Sequence, residues 1–210
     1  IVRFLAEEKA IPVIVGRDEA DNRRLVSEIE KSNMEAFQVV AELTRPGENK
    51  KAVDTVLERF GRIDGLVNNA GVNDGVGLEK GSYKKFMESL HRNLVHYYLM
   101  AHFALPALIA SKGSIVNIGS RTAETGQGGT SAYAASNGGR NALTREWAVE
   151  LLKYGIRVNA LIVADCWTPL YAKWINTFPD PEAKRVAIES VIPLEQRMTT
   201  TEEIAAMVAF

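Results

Sequence analysis

The chain lacks the marks of several protein classes. Its 210 residues hold one cysteine, Cys166. That excludes an intramolecular disulfide framework and leads us to expect a reducing, cytoplasmic setting. Charge of either sign is not in excess: 25 Lys+Arg face 26 Asp+Glu, for a net charge of -1. No basic patch or stripe points to nucleic acid, so no nucleic-acid partner is expected. Long apolar runs are missing as well. The most apolar one, Tyr97 to Ala110, is too short for a membrane span and carries His102 and Pro106, so no membrane partner is expected. Arg3 is followed by Glu7 and Glu8 rather than by the apolar stretch of a signal peptide. There is no internal repeat and no low-complexity tract. His91, His96 and His102 do not have metal-ligand spacing, so no metal is expected.

What remains is the composition of a soluble globular domain, with 46% hydrophobic and 24% charged residues. One domain over residues 1–210 is expected, long enough to bury a sizeable core. Short apolar runs alternate with helical patterns. Residues 1–9 read as a helix. Pro12 to Val15, Phe37 to Val40, Gly65 to Val67, Ser114 to Ile118 and Ile156 to Val163 read as buried strands. Helices are expected around Leu25 and Ile29, around Val53 to Phe60 with Gly61 as the C-terminal cap, from about Ser82 to beyond Leu105, and from about Ala132 to Tyr154. Residues 19–31 and 48–59 read as solvated helix faces. Residues 167–198 carry Pro169, Pro179, Pro181 and Pro193 with Trp167, Tyr171, Trp174 and Phe178. They read as a lid-like excursion. Thr200 and Glu203 fit a capping box for a last helix. The alternation implies an α/β fold: a doubly wound, Rossmann-like parallel sheet. Such domains usually open with a strand and a glycine-rich phosphate turn. This sequence opens within a helix and closes within another, so both ends of the domain are expected to lie outside it, and no residue is assigned to phosphate.

In open parallel sheets, ligands bind outside the carboxyl ends of the strands. Gly16-Arg17-Asp18, Asn69-Ala70-Gly71, Gly119-Ser120 and the segment from Val163 to Thr168 should therefore face one crevice. Tyr133 and Asn137 are one helical turn apart on one face. A serine and a tyrosine hydroxyl can jointly address a carbonyl oxygen, one donating a hydrogen bond and the other moving a proton. Asn93 lies in mid-helix, where an amide is a poor helix former; it can kink the helix or hold a water in a relay.

These segments resemble the short-chain dehydrogenase/reductase family. The matching pieces are Asn68-Asn69-Ala70-Gly71, Asn93, Ile115-Val116-Asn117-Ile118-Gly119-Ser120, Tyr133-Ala134-Ala135-Ser136, Arg157-Val158-Asn159-Ala160 and Thr168-Pro169-Leu170. They stand in the family's order and spacing over nearly the whole chain. Within it, Asn73-Asp74-Gly75, Arg92 to Tyr98, Thr125-Gly126-Gln127-Gly128 and Thr144 to Trp147 are most similar to sugar dehydrogenases of the L-fucose dehydrogenase type.

The resemblance implies hydride transfer between a nicotinamide cofactor and a secondary alcohol or carbonyl, here of a sugar or polyol. It implies Tyr133 as acid/base, Ser120 as the polarising hydroxyl and Asn93 as a relay. Asn69, Ala70 and Gly71 would line the adenosine side of the cofactor, and Thr168 would approach the nicotinamide. Gln127, Trp167 and Trp174 are candidates for the substrate side, although packing accounts for at least two of Trp167, Tyr171 and Trp174. A homotetramer or homodimer built on the long helices is implied, and apolar Tyr97, Tyr98, Leu99 and Trp147 are compatible with such a face.

Two positions depart from the family. Where it has a lysine four residues after the tyrosine, this chain has Asn137. An asparagine can keep a ribose hydrogen bond but supplies no charge; a unit charge at about 4 Å is worth about 4 kcal/mol at an effective dielectric of about 20. Arg140 and Arg121 are candidate substitutes. Val163 replaces the usual proline. As for the cofactor, the acid position after the family's second strand is Gly16, followed by Arg17 and Asp18, which leans to NADP over NAD. A rival reading is a catalytically impaired nucleotide-binding or sensor protein on the same fold, which Asn137 supports.

Overall fold

Each short apolar run becomes a strand in the computed structural model, which describes residues 1–210. They are β1 (Val13–Gly16), β2 (Phe37–Val40), β3 (Gly65–Asn68), β4 (Ser114–Ser120) and β5 (Arg157–Val163). All pairing is parallel, as buried apolar strands joined by helices require. The strands fall into two hydrogen-bonded sets, β1-β2 and β3-β4-β5, rather than the one continuous sheet expected. β1 pairs only with β2 and β3 only with β4; no strand of this chain joins the sets.

Helices α1 (Val2–Glu7), α2 (Glu19–Glu30) and α3 (Pro46–Phe60) connect the first strands. Pro46 opens α3 where an N–H would be unpaired anyway. Gly61 closes it at φ 69°, a left-handed position that glycine adopts without strain. The expected long helix is continuous but not uniform. It runs as α4 (Tyr83–Leu90), one π turn (His91–Val95) and α5 (His96–Ser111). After β4 come the single-turn α6 (Thr122–Thr125), which sequence periodicity does not reveal, and α7 (Ser131–Glu150). The last residues assigned to that helix, Leu152–Tyr154, form a 3₁₀ turn instead, closed by Gly155 at φ 73°. Then follow α8 (Pro169–Ile175), α9 (Pro181–Glu189) and α10 (Thr201–Ala209). The capping box at Thr200 and Glu203 is present in both directions.

The core lies between α3, α5, α7 and the β3-β4-β5 sheet, around Val53, Leu108, Ile115, Trp147, Ile156 and Val158. Tyr97 and Trp147 are 0% and 7% exposed, so they belong to this interior and not to an outer face. Tyr97 turns inward because its hydroxyl donates to the Ile118 carbonyl at 3.0 Å. Tyr98 remains half exposed. The segment Tyr83–Ser111 is, at 29 residues, long and apolar enough to cross a membrane by length and composition alone. That exceeds the Tyr97 to Ala110 run because the π turn keeps the helix continuous. The segment packs on α3, β3 and α7 and buries Asn93 and His96. Leu108 is 0% exposed in the core. Leu108→Ala should lower the unfolding free energy by about 2–5 kcal/mol through lost burial and a residual cavity. A urea titration checks this, and an unchanged midpoint would contradict the packing.

Candidate active site

The parallel register fixes what meets at the carboxyl end of the sheet. Ser120, the last residue of β4, stands opposite Val163, the last of β5. The Arg121 N–H donates to the Val163 carbonyl at 2.9 Å, which holds the two strand ends together. Ser120 Oγ accepts from the Thr122 backbone N–H at 3.3 Å and from the Thr122 hydroxyl at 3.1 Å. With both contacts donated by Thr122, the Ser120 hydroxyl proton is left uncommitted. Thr122, which sets this orientation, was not singled out by sequence.

Helix α7 packs against β4 and α6. The Ala132 N–H donates to the Val76 carbonyl at 3.1 Å, tying the helix start to the segment after β3. A buried amide chain ties its middle to the sheet. Asn68 Nδ2 donates to Asn117 Oδ1 at 3.0 Å, Asn117 Nδ2 to Thr144 Oγ1 at 2.9 Å, and Thr144 Oγ1 to the Arg140 carbonyl at 2.8 Å. All three side chains are buried, so each bond replaces solvent. The signal in sequence is an asparagine inside each of two apolar strands.

Tyr133 is half-buried in the first turn of α7. Asn137 is 0% exposed and turned inward. Its Nδ2 donates to the Tyr133 carbonyl at 2.8 Å, and its Oδ1 accepts from Arg140 Nη1 at 3.0 Å. Arg140 is 3% exposed. It also donates from Nη1 to the Ile118 carbonyl at 3.0 Å and from Nε to the Asn93 carbonyl at 2.6 Å. Its guanidinium carbon lies 4.2 Å over the Tyr97 ring, a cation–π contact.

Asn93 explains the π turn. Its Nδ2 donates to the Ser89 carbonyl at 3.0 Å, inserting a side chain into the helical ladder, and its own carbonyl is given to Arg140. Asn93 Oδ1 accepts from the Val72 N–H at 2.7 Å and so pins the loop after β3. Gly71 is required there: a Cβ would lie 2.7 Å from Arg140 Nη2 and 2.9 Å from Asn93 Oδ1.

A cleft of about 360 Å³ opens at the carboxyl ends of β1, β2 and β3. Gly16, Arg17, Glu42, Ala70, Gly71 and His96 are among its walls. Arg92 also lines it, and neither Arg92 nor His96 was assigned there from sequence. Asn69 is exposed beside the cleft but is not among its lining residues. His96 Nε2 meets the Ala70 carbonyl at 3.0 Å and Nδ1 the His91 carbonyl at 3.2 Å. Burial holds its pKa below the usual imidazole value. Asp18 is engaged in capping α2, accepting from the Asp21 N–H at 2.9 Å. Arg17 extends into solvent, 3.8 Å from Glu42. The Glu42 carboxyl is held below the usual carboxylate range, first by the Thr44 backbone N–H.

On the β5 side, Thr168 caps α8, accepting from the Tyr171 N–H at 3.1 Å. Cys166 and Thr199 bridge as in a parallel sheet, and the Trp167 N–H bonds to the Thr199 carbonyl at 3.1 Å. Trp167 and Trp174 are partly exposed, each packed on Tyr171, and Arg185 lies 4.6 Å over the Trp167 ring. Gln127 lies exposed in the loop between α6 and α7. Neither Gln127 nor these tryptophans hydrogen-bond to Tyr133, whose carbonyl accepts from Asn137. Of the two candidate cations, Arg121 is paired with Asp165 at 2.9 Å and half exposed. No three metal-binding side chains cluster anywhere in the chain.

Parallel strands joined by helices, with a cleft at the carboxyl ends of β1, β2 and β3, are the architecture of dinucleotide-dependent oxidoreductases. The family model described as short chain dehydrogenase matches residues 1–177, and the chain belongs to the short-chain dehydrogenase/reductase family. It is 33% identical to the L-fucose dehydrogenase of Bos taurus over 100% of this chain and 76% of that protein. It is 35% identical to the levodione reductase of Leifsonia aquatica over 84% of this chain and 67% of that protein. Among solved structures, the Cj0485 dehydrogenase superposes with a TM-score of 0.93 at 38% identity, over 99% of this chain and 79% of that one. A variant of the actinorhodin polyketide ketoreductase, solved with NADPH, superposes with a TM-score of 0.92 at 28% identity, over 100% of this chain and 83% of that one.

Proposed function

We propose that this protein moves a hydride between NADP or NAD and a secondary alcohol or carbonyl carbon of a sugar or polyol, in the manner of an L-fucose dehydrogenase. The observation that carries the reading is the joint anchoring of Ser120 and α7: Arg140 ties the helix that bears Tyr133 to the Ile118 carbonyl, two residues from Ser120 on the same strand. In the oxidising direction the substrate O–H gives its proton to the Tyr133 phenolate, and the carbinol C–H leaves as hydride. The alcohol is oxidised by two electrons to a carbonyl. The nicotinamide, when bound, supplies the acceptor for that hydride. Ser120 donates a hydrogen bond to the substrate oxygen as the carbonyl forms. Tyr133 gives the proton back in the reducing direction.

The residues of the cleft fit the adenosine half of such a cofactor. Gly71 offers backbone with no Cβ, Ala70 and Val72 offer apolar contact, and Arg17 and Arg92 offer charge. Thr168 would meet the carboxamide with its free hydroxyl proton. Asn137 acts here by positioning Arg140 rather than by holding ribose, since its amide is turned inward on Tyr133 and Arg140. Asn93 clamps Val72 through its side chain, beside the relay role that the family resemblance implies for it. Gln127, Trp167 and Trp174 remain the substrate-side candidates because all three are accessible, and aromatic faces suit sugar rings. A homotetramer or dimer through the face around half-exposed Tyr98 and a cytoplasmic setting for the free thiol of Cys166 complete the reading.

NADP is the favoured cofactor because Asp18, the acid that would take a ribose hydroxyl, is committed to its helix cap, while Arg17, exposed and only loosely paired with Glu42 at 3.8 Å, can turn to a 2′-phosphate. Arg17→Ser should lower kcat/KM for NADP+ by about 10–100-fold, the worth of a charge-assisted hydrogen bond, and change that for NAD+ little. Equal changes with both cofactors would contradict the assignment. The impaired-sensor reading rests on the missing lysine at Asn137, and it weakens once a buried cation stands nearby. The test of the function itself is turnover of a sugar and polyol panel with either cofactor.

A further inference from the structure

Residues 164–198 leave the sheet after β5 and carry α8, α9 and an aromatic row. Trp167, Tyr171, Trp174 and Phe178 follow one another at spacings of three and four residues. Each ring meets the next, with centroids 6.2, 5.2 and 5.1 Å apart. Arg185 and Lys184 of α9 lie over the first and last rings, at 4.6 and 5.0 Å, and α8 packs on α9. Of all the hydrogen bonds and ion pairs in the chain, only that between Arg121 and Asp165 joins this segment to residues 1–163.

Both oxygens of the Asp165 carboxylate are engaged, each by a different element. Oδ2 pairs with Arg121 Nη2 at 2.9 Å, and Oδ1 accepts from the Tyr171 hydroxyl at 3.0 Å. The Asp165 side chain is 14% exposed, so a carboxylate that loses one partner is left largely dry and under-bonded. The Asp165 carbonyl accepts from the Thr199 N–H at 2.9 Å, which fixes the backbone beneath the carboxylate. Burial, and then the charge of Asp165, holds the Tyr171 pKa well above the ordinary phenol value, so Tyr171 stays a neutral donor. Ile175 and Met198 are buried and already give the segment apolar anchorage. Apolar contact has no direction. An ion pair and a hydrogen bond on one carboxylate do.

The two partners matter by where they stand. Arg121 follows Ser120 in the chain, and Tyr171 is in the middle of the aromatic row, in contact with Trp167 and Trp174. We propose that Asp165 is a positioning residue for the sugar or polyol: by clasping Arg121 and Tyr171 together, it fixes the aromatic row relative to the strand end that carries Ser120, so that the substrate is held between them. The inference deepens the hydride-transfer reading and rests on it, with Trp167 and Trp174 on the substrate side.

The test uses the full protein as wild type, Asp165→Asn, Tyr171→Phe, Arg121→Gln and Arg121→Lys. Steady-state rates are measured with the best sugar or polyol of a panel, and amide hydrogen exchange is followed in the same proteins. Asp165→Asn, Tyr171→Phe and Arg121→Gln should each raise KM for that substrate about tenfold, the worth of a hydrogen bond to a charged group, while kcat at saturation changes by less than about twofold. Arg121→Lys keeps a cation for Asp165 and should stay near the wild type. The double variant Asp165→Asn/Tyr171→Phe should be no worse than Asp165→Asn alone, because the two share one bond. Exchange of the α8 amides should quicken about tenfold in the variants that lose the clasp, with the buried amides of α5 unchanged. A folded Tyr171→Phe with an unmoved KM overturns the inference, even if exchange quickens. So does a fall in kcat as large as the fall in kcat/KM. Tyr171→Phe removes one oxygen and keeps the ring, so it decides alone if Asp165→Asn does not fold. No turnover by the wild type overturns the hydride-transfer reading first and this inference with it.

Discussion

Tyr133→Phe is expected to lower kcat/KM by about 10²–10⁴-fold in both directions while leaving the fold and cofactor affinity nearly unchanged. The change removes one oxygen from a half-buried ring in the first turn of α7. Asn137 bonds to the Tyr133 carbonyl, not to its hydroxyl, so the local helix keeps its contacts. The loss should therefore fall on proton transfer. Two measurements separate this from a packing effect: a cofactor titration followed by tryptophan fluorescence, and steady-state rates across pH. The loss should persist across the pH range while cofactor affinity is unchanged. A variant that keeps more than about a tenth of the activity would show that the phenol is not the acid/base, since proton transfer by a positioned group is worth about 10²-fold at the least.

Ser120→Ala carries the second largest effect, about 10²–10³-fold in kcat, the usual worth of one preorganised donor to a developing oxygen charge. Thr122 donates to Ser120 Oγ through its N–H and its hydroxyl. In the variant the Thr122 hydroxyl loses an acceptor, so some stability is lost too. Ser120→Thr, which keeps a hydroxyl on the same carbon, should recover most of the rate. The double variant with Tyr133→Phe should be no more than slightly worse than Tyr133→Phe alone, because the two groups serve one event and their losses do not add. Fully additive losses would mean that the two hydroxyls act on different steps.

Local rules carried much of this architecture. The strand spans of β2 and β5, the proline start and glycine stop of α3, and the capping box before α10 follow from residues adjacent in sequence. The order of the site segments was equally plain: Ser120 at a strand end and Tyr133 near a helix start follow from the alternation of runs. What was hidden depends on partners far along the chain. The π turn at Asn93 answers to Ser89 and to Arg140, which is 47 residues away. Tyr97 looks like one side of an apolar stripe, yet a carbonyl 21 residues on draws it inward. The break between β1-β2 and β3-β4-β5 is a matter of which strands pair, and pairing has no local signature.

Arg140 shows the same limit most clearly. Spacing alone made it one of two candidate cations, equal to Arg121. Burial and partners distinguish them, because Arg121 is neutralised by Asp165 at the surface and Arg140 is buried with only neutral hydrogen-bond acceptors. Gly71 could be read from sequence only as part of a motif. Its necessity comes from the guanidinium and the Asn93 amide that would meet a Cβ there.

The most direct measurement is the rise of reduced-nicotinamide absorbance when the full protein is mixed with NADP+ or NAD+ and a panel of sugars, polyols and simple secondary alcohols, L-fucose among them. The account predicts turnover of at least one sugar or polyol, faster with NADP+, and its loss in Tyr133→Phe. A folded protein that binds cofactor yet turns over nothing in the panel, or one whose turnover survives Tyr133→Phe intact, would contradict it.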